Sequence, residues 1–564
     1  MAREKSESTD SIPGIEAVYG IPPINIASRF FTSAGKYAEL TAVGYAGDDA
    51  HLTYAQLALK VEQCATFLGP LADTEPVGLL SENRPEWVKT YLAILVRGGV
   101  VVPIDPALKE KELVRVFELS GINQIFVSSR CLEAAQNAAG QINRELIIID
   151  LETVPDDTAL DDQYRIPNDP HYPAVKIFTS GTTGDSKRVV LTHGNILSDL
   201  QGVQERLQFG PGDRFLSVLP LHHTLEATCG FMAPLLNGAA VYYIRELNSR
   251  EIINGIIKHK ITHFISVPLL YEKIYHSILS GVAKAGFIKK RLFGTLMLTG
   301  RLLEKVTRNN RGKKLFASFR RRARLDSLRL LVSGGAPLPR EISQNFNRMG
   351  FPFVEGYGLT ETSPVLSVNE PHIIRHGSVG RPLANVEIKI DNPDQKGIGE
   401  LLVKGPMVMN GYEDNPELTA KVIRDGWFCT GDLARLDKDG YIYIVGRAKN
   451  LIVSAAGKNI YPEEIEAQLL TSRYILEAVI YGKKLPNGRE EVAAMIYPDF
   501  EILKLEHDLD QENVSEDQLH QIIDPLVKQA CSQLADYKRI KHIEYVRREM
   551  EKTSTRKIKR YKYQ

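Results

Sequence analysis

The residues best suited to chemistry gather where an apolar run empties into a polar loop. Ile177 and Phe178 lead into Thr179, Ser180, Gly181, Thr182, Thr183 and Gly184, and Lys187 follows three residues later. Glycines let main-chain N–H groups turn toward an anion, hydroxyls add donors and the lysine adds charge, so the loop suits a polyphosphate. It is not a Walker-type P-loop, which would end in Gly-Lys-Ser/Thr, whereas Ser186, Lys187 and Arg188 stand here. A polar β-turn is the other reading of the same residues.

Three further clusters carry complementary groups. In Glu355 to Glu361 (EGYGLTE), Tyr357 offers a flat ring for a base, Thr360 a hydroxyl for a phosphate and Glu361 a hard oxygen ligand for Mg2+. In Trp427 to Asp432 (WFCTGD), a carboxylate behind a tight turn suits a ribose diol, and Gly446 to Lys449 supplies the cations Arg447 and Lys449. Each cluster taken singly is also compatible with an ordinary turn.

The elements that must position these groups follow from periodicity. Short apolar runs such as 77–81 and 99–103 alternate with helical patterns such as 86–95, which predicts parallel sheets covered by helices. Residues 329–333, a Gly-Gly-Ala-Pro turn and a helical 341–349 repeat that grammar, and ligands in such folds sit at the carboxyl ends of the strands. From about Val386 short strands and turn signals predict a small antiparallel, barrel-like β subdomain. After Lys449 a compact α+β segment begins, in which 506–517 reads as an acidic solvated loop. The fold class is therefore α/β. The expected domains are 1–448, with 386–448 as its β subdomain, and a small mobile domain, 449–564.

Composition removes other classes. With 564 residues, 43% hydrophobic and 25% charged, the chain is globular and large enough for more than one domain. The 70 Lys and Arg balance 69 Asp and Glu, so no global field draws it to nucleic acid. Five dispersed cysteines without a C-x-x-C fit a reducing compartment and neither a disulfide framework nor a zinc site. The polar N-terminus has no apolar core of a secretory signal, and the most apolar run, 91–106, falls short of the about 20 residues a spanning helix needs. A cytoplasmic protein is expected.

Taken together, Thr179 to Gly184 with Lys187, Tyr357 to Glu361 (YGLTE), Thr430 to Asp432 (TGD), Gly446 with Arg447, and Gly457 to Glu466 (GKNIYPEEIE) resemble the acyl-adenylate-forming, AMP-binding superfamily in order and spacing. The resemblance runs from about Leu52 to the C-terminus. It implies a two-step reaction in which a carboxylate attacks the α-phosphorus of ATP and expels pyrophosphate, and a thiol then takes the acyl group and releases AMP. ATP, Mg2+ and, as acceptor, CoA are the implied small molecules.

Carried over by residue, the Thr179 to Lys187 loop covers the β- and γ-phosphates, and Gly335, Ala336 and Pro337 with Tyr357 enclose adenine. Thr360 contacts the α-phosphate, Glu361 binds Mg2+, and Asp432 and Arg447 hold the ribose. Lys449 matches the hinge, Gly457 and Lys458 the CoA side, His223 the gate beside the carboxylate, and Lys557 the C-terminal catalytic lysine. A solvated basic tail is the other reading of Lys557, since Lys552, Arg556, Lys559 and Arg560 surround it. Three positions depart from the family pattern. Arg188 and Arg556 replace glycines beside the loop lysine and the catalytic lysine, and Ala535 replaces a proline.

Leu219 to Glu226 (LPLHHTLE) and Val267 to Tyr275 (VPLLYEKIY) resemble fatty acyl-CoA synthetases more than activators of acetate, aryl or amino acids, implying a long- or medium-chain fatty acid. A fatty acid–acyl carrier protein ligase and a non-catalytic ATP- or acyl-binding member are the alternatives. From Lys284 to Arg329 there are 15 Lys and Arg against Glu304 and Asp326, interleaved with apolar residues. Such a segment suits peripheral contact with an anionic membrane at its inner face, or docking of an acidic carrier protein, or simply a solvated helical face.

Overall fold

The computed structural model describes residues 25–161, 166–179, 187–284, 286–307, 312–453, 458–485, 490–532, 534–552 and 558–563. The wholly buried strand Val100–Ile104 reads as a continuous apolar run because it lies inside a helix-covered sheet. That sheet has seven strands in the order Gly411–Tyr412, Lys187–Thr192, Pro173–Thr179, Val100–Ile104, Pro76–Leu80, Gln124–Val127 and Ile147–Asp150. The five strands from Pro173–Thr179 onward pair in parallel. Lys187–Thr192 folds back antiparallel on Pro173–Thr179 and adds Gly411–Tyr412 at the edge.

A second sheet has nine strands. Phe353–Gly358, Leu330–Ser333, His263–Ser266, Arg214–Ser217, Ala240–Tyr243 and Thr41–Tyr45 form its parallel centre. Antiparallel strands close both ends, Val365–Val368 with Arg381–Pro382 at one and His51–Thr53 at the other. The expected parallel sheets are thus parallel over most of their width, with antiparallel strands at one edge of the seven-stranded sheet and at both edges of the nine-stranded one. The helix Pro85–Val96 starts with proline in its first turn and packs against strands of both sheets. It is buried nearly all round as a result, with Trp87 stacked on Tyr91 at 5.1 Å.

Glu387–Asp391, Gly399–Lys404, Trp427–Leu436, Ile423–Arg424 and Ile442–Arg447 form a separate antiparallel sheet. Beyond Ile452 a distinct core of Ile465, Leu469, Ile480, Leu503 and Ile523 lies around the strands Ile475–Lys484, Glu490–Pro498 and His542–Tyr545. The chain is therefore a mixed α/β protein with a large N-terminal part and a smaller C-terminal one. The acidic stretch is only partly a loop. Glu506 ends the helix Phe500–His507, while Glu516 and Asp517 open the helix Glu516–Ala530, where negative charge meets the positive end of the helix dipole.

The basic segment also resolves differently from a single surface. Phe316 is fully buried, and Phe293, Leu296, Leu315 and Phe319 pack on the main core. Arg320 is buried with them; its guanidinium donates to the carbonyls of Gly350 and Leu328 and lies over the Phe351 ring. Among the described residues no helix is long and apolar enough to cross a membrane, and none of the five cysteines is paired.

Candidate functional site

Two strand ends of the nine-stranded sheet start the site. Leu330–Ser333 runs into Gly334 and Gly335, and Gly335 has φ +84°, a left-handed turn that glycine adopts without strain. Alongside it, Phe353–Gly358 carries Tyr357. A Cβ on Gly358 would lie 1.8 Å from the Pro364 carbonyl oxygen, so only glycine lets the chain double back there.

Tyr357 joins this sheet to the antiparallel one. Its hydroxyl donates to Asp432 Oδ2 at 2.6 Å, and Arg447 Nε forms an ion pair with Asp432 Oδ1 at 2.6 Å. Asp432 and Arg447 face each other across paired strands, which fixes both side chains in one register. Burial first, and the Asp432 charge second, push the Tyr357 hydroxyl well above the usual tyrosine range, so it stays a donor.

The following turn, Thr360–Thr362, presents Glu361. Its Oε1 accepts from the Tyr412 hydroxyl at 2.8 Å, and its carbonyl accepts from Met409 N at 2.8 Å. Lys187 Nζ lies 5.0 Å from the centre of the same Tyr412 ring. Thr179 and Lys187 are paired partners at the base of the hairpin, with Thr179 Oγ1 donating to the Lys187 carbonyl at 3.4 Å. Ser180, Gly181, Thr182, Thr183 and Gly184 lie outside the described residues.

Lys449 sits in the short turn Ala448–Asn450. Its ammonium is pushed below the usual lysine range, first by burial and then by Arg447, Lys187 and Arg560, with Asp432 acting the other way. Lys449 therefore feels one cation from beside its own turn, one from the hairpin and one from near the C-terminus, with the Asp432 carboxylate beside them. Such a concentration of donors suits a polyphosphate, and a carboxylate such as Glu361 suits Mg2+, which takes one or two carboxylates and completes its shell with phosphates and water. Glu361 fits that part.

Arg188 points elsewhere. Neighbouring residues of a strand face opposite sides, so it leaves Lys187 toward Tyr412 and itself reaches Glu413 Oε2 at 2.8 Å and Asp414 Oδ2 at 2.5 Å. Lys176 also meets Glu413, at 2.6 Å. The Arg188 guanidinium is thus taken up by two carboxylates of the segment that follows the edge strand Gly411–Tyr412. Ala535 has φ −60° and ψ 147°, backbone that a proline would share, so that departure leaves the local chain path unchanged.

At the end of the strand Arg214–Ser217 lies the turn bearing His222 and His223, whose ring centres are 4.2 Å apart. Asn83 holds this turn, accepting from Leu221 N at 2.9 Å and donating to the Leu219 carbonyl at 2.5 Å. Burial pushes His222 down to about 3, so the ring is neutral even though Asp105 Oδ2 is 3.6 Å from its Nε2. His222 borders a small cavity of about 10 Å³ with Tyr91, Ile177, Leu191, Thr228 and Met232. The π-helical turn Glu226–Met232 follows, a geometry found mostly at functional sites. Glu226 is fully buried and pushed up to about 8 by desolvation, against weaker opposing effects of Ser217 and Leu219; its carboxyl is neutral.

In the C-terminal part, Lys458 is exposed, whereas Gly457, Arg556 and Lys557 lie outside the described residues. Both flanks of 553–557 are anchored by buried carboxylates. On one side Lys552 pairs with Glu477, which also accepts from Met550 N at 2.8 Å; on the other Arg560 pairs with Glu466, which accepts from Ile480 N at 2.7 Å. Lys552 and Ile558 form an antiparallel bridge between the two flanks. Burial raises Glu466 to about 7, with Arg560 pulling the other way.

Sequence reasoning missed Tyr412, Asn83 and Glu477, and it named Glu466 and Arg560 without pairing them. Tyr412 had a legible signal, an aromatic after glycine in the turn-rich run Gly411 to Pro416. The others are polar residues whose partners lie far along the chain.

The AMP-binding enzyme family model matches residues 30–413, and the AMP-binding enzyme C-terminal domain model matches residues 449–563. Feruloyl-CoA synthase of an Amycolatopsis species is 30% identical over 472 residues, covering 81% of this chain and 85% of that protein. Long-chain-fatty-acid–CoA ligase FadD15 of Mycobacterium tuberculosis is 31% identical over 443 residues, covering 73% of this chain and 71% of its own. The solved structure of o-succinylbenzoate CoA synthetase (MenE) from Bacillus subtilis with its acyl-adenylate intermediate shares the fold, with a TM-score of 0.75 at 23% identity over 95% of this chain and 97% of that one.

Proposed function

The chain belongs to the AMP-binding enzyme family and is an AMP-forming acyl-CoA ligase; from that premise we propose that the acid it activates is a fatty acid of medium or long chain. The observation that carries this reading is the lining beside the His222–His223 turn. Tyr91, Ile177, Leu191 and Met232 are apolar over most of their surface, and the nearby carboxyl, Glu226, is held neutral. An amino acid would need a charge there to meet its ammonium, whereas hydrocarbon needs none. The name of the Mycobacterium relative points the same way.

The residue roles follow from charge. A carboxylate and a triphosphate repel, so the site supplies donors where negative charge builds at the α-phosphorus. Lys187 and the loop before it hold the outer phosphates, Thr360 donates to the α-phosphate, and Asp432 with Arg447 grips the ribose. Tyr357 with Gly335, Ala336 and Pro337 encloses adenine. Glu361 would hold Mg2+, which would supply neutralisation of phosphate charge. His223 orients the incoming carboxylate. Lys557 bridges the carboxylate and the α-phosphate; the Glu477–Lys552 and Glu466–Arg560 pairs anchor the described chain before and after residues 553–557. Rotation about Lys449 then withdraws Lys557 and brings Gly457 and Lys458 toward the CoA thiol. The domain division is accordingly 1–448, with 386–448 as β subdomain, and 449–564.

Pyrophosphate release across saturated fatty acids from hexanoate to eicosanoate, with ferulate and 2-succinylbenzoate alongside, tests the substrate class. The reading expects kcat/KM to rise with chain length to a maximum within the series. An aryl acid exceeding every fatty acid would overturn it.

A further inference from the structure

The helix Phe287–Thr307 is apolar on two sides. Its inner side, Phe293, Leu296 and Met297, packs on the main core. Its outer side is the unusual one. Phe287 is 76% exposed, Ile288 81%, Leu292 57%, Leu298 59% and Leu302 57%. From Ile288 the residues Leu292, Thr295, Leu298 and Leu302 follow at helical spacing, a line about 21 Å long at 1.5 Å per residue. Thr295 closes onto the helix itself, its hydroxyl donating to the Arg291 carbonyl at 3.0 Å, so the one polar position in the line has its donor satisfied internally.

Cations border the line. Lys284, Lys289, Lys290, Arg291 and Arg301 are exposed, and no Asp or Glu occurs between Lys284 and Leu303. Contiguous exposed apolar surface of this kind is uncommon on a soluble monomer unless something covers it. Apolar side chains aligned on one helix face with Lys and Arg beside them are the pattern of a helix lying in the plane of a lipid interface.

The geometry points to the outer face of the helix Phe287–Thr307 as a docking surface for an anionic lipid bilayer, with Ile288, Leu292, Leu298 and Leu302 entering the headgroup boundary. Lys289, Lys290, Arg291 and Arg301 meet lipid phosphates. Charge selects this occupant over a second copy of the chain, because two such faces would bring like cations together. Arg320, buried in the core, has no part in it. The surface lies outside the nucleotide site, and attachment is read without turnover, so its failure and a failure of the substrate reading are separate results.

The test is co-flotation of the full-length protein with phosphatidylcholine vesicles, with and without about a quarter phosphatidylglycerol. The wild type is expected to float with the anionic vesicles and not with pure phosphatidylcholine. Leu292→Ser with Leu298→Ser should lower that partitioning at least about tenfold at unchanged melting temperature, since both positions are exposed. Lys289→Gln with Lys290→Gln should lower it several-fold, about, and reduce its dependence on salt. Equal flotation of wild type and the leucine variant overturns the proposal. So does a wild type that floats with neither vesicle, including the case in which sedimentation shows a dimer that the leucine variant loses.

Discussion

Replacing Asp432 with Asn keeps the side chain's shape and removes its charge. The residue is 4% exposed, accepts a hydrogen bond from Tyr357 of the nine-stranded sheet at 2.6 Å and forms an ion pair with Arg447 of the strand opposite at 2.6 Å. Hydrogen bonds to an ionised group are worth about 1.5–3 kcal/mol each, against about 1 kcal/mol for neutral ones. The Arg447 side chain is 39% exposed, so water screens its share and the lower end applies there. For a ribose diol donating both hydroxyls to the carboxylate, loss of charge assistance at about 0.5–2 kcal/mol each costs about 1–4 kcal/mol, which is about 5–800-fold in kcat/KM for ATP. The assay is pyrophosphate release with ATP varied at saturating fatty acid, beside a thermal melt of the same preparation. A variant within about threefold of wild type for ATP would refute the reasoning and leave Asp432 as a scaffold for Arg447 and Tyr357.

Arg188→Gln should lower stability by about 1–2 kcal/mol through the lost Glu413 contact, the Asp414 contact being exposed and adding little. It should leave kcat/KM for ATP within about threefold, and a larger loss at unchanged stability would return the guanidinium to the phosphate site. Glu226→Gln should change the pH dependence of stability. Glu226 titrates near 4.5 when unfolded and near about 8 when folded, so between those values the folded protein holds the extra proton and stability falls as pH rises, by about 1.4 kcal/mol per unit. The variant lacks this loss, and its stability relative to wild type should climb from pH 5 to pH 8 in denaturant titrations; a flat difference contradicts the neutral carboxyl.

What the sequence displayed and what it concealed follow a physical line. Local grammar was legible. The apolar run before Thr179, the glycine turn after Ser333 and the alternating strands after Val386 each lie where chain chemistry alone predicts. The juxtapositions were not. Tyr357 and Asp432 are 75 residues apart and meet only because two sheets abut, and Tyr412 comes to Glu361 and Lys187 through an edge strand of two residues. Charge misled where burial decided. Arg320 reads as one more cation in a basic stripe, yet three backbone carbonyls around its guanidinium hold it inside. Arg188 reads as part of a phosphate loop, yet strand alternation turns it to Glu413. Glu226 reads as an ordinary acid and is neutral because a helix turn encloses it.

Isotope exchange between pyrophosphate and ATP, run with fatty acid and without CoA, tests the central claim most directly, because label returns to ATP only if an acyl-adenylate forms reversibly in the site. The account predicts exchange that depends on the fatty acid and proceeds with no thiol present. Absence of exchange with every fatty acid from hexanoate to eicosanoate, in protein that still binds ATP, would contradict it and leave a nucleotide-binding protein without turnover.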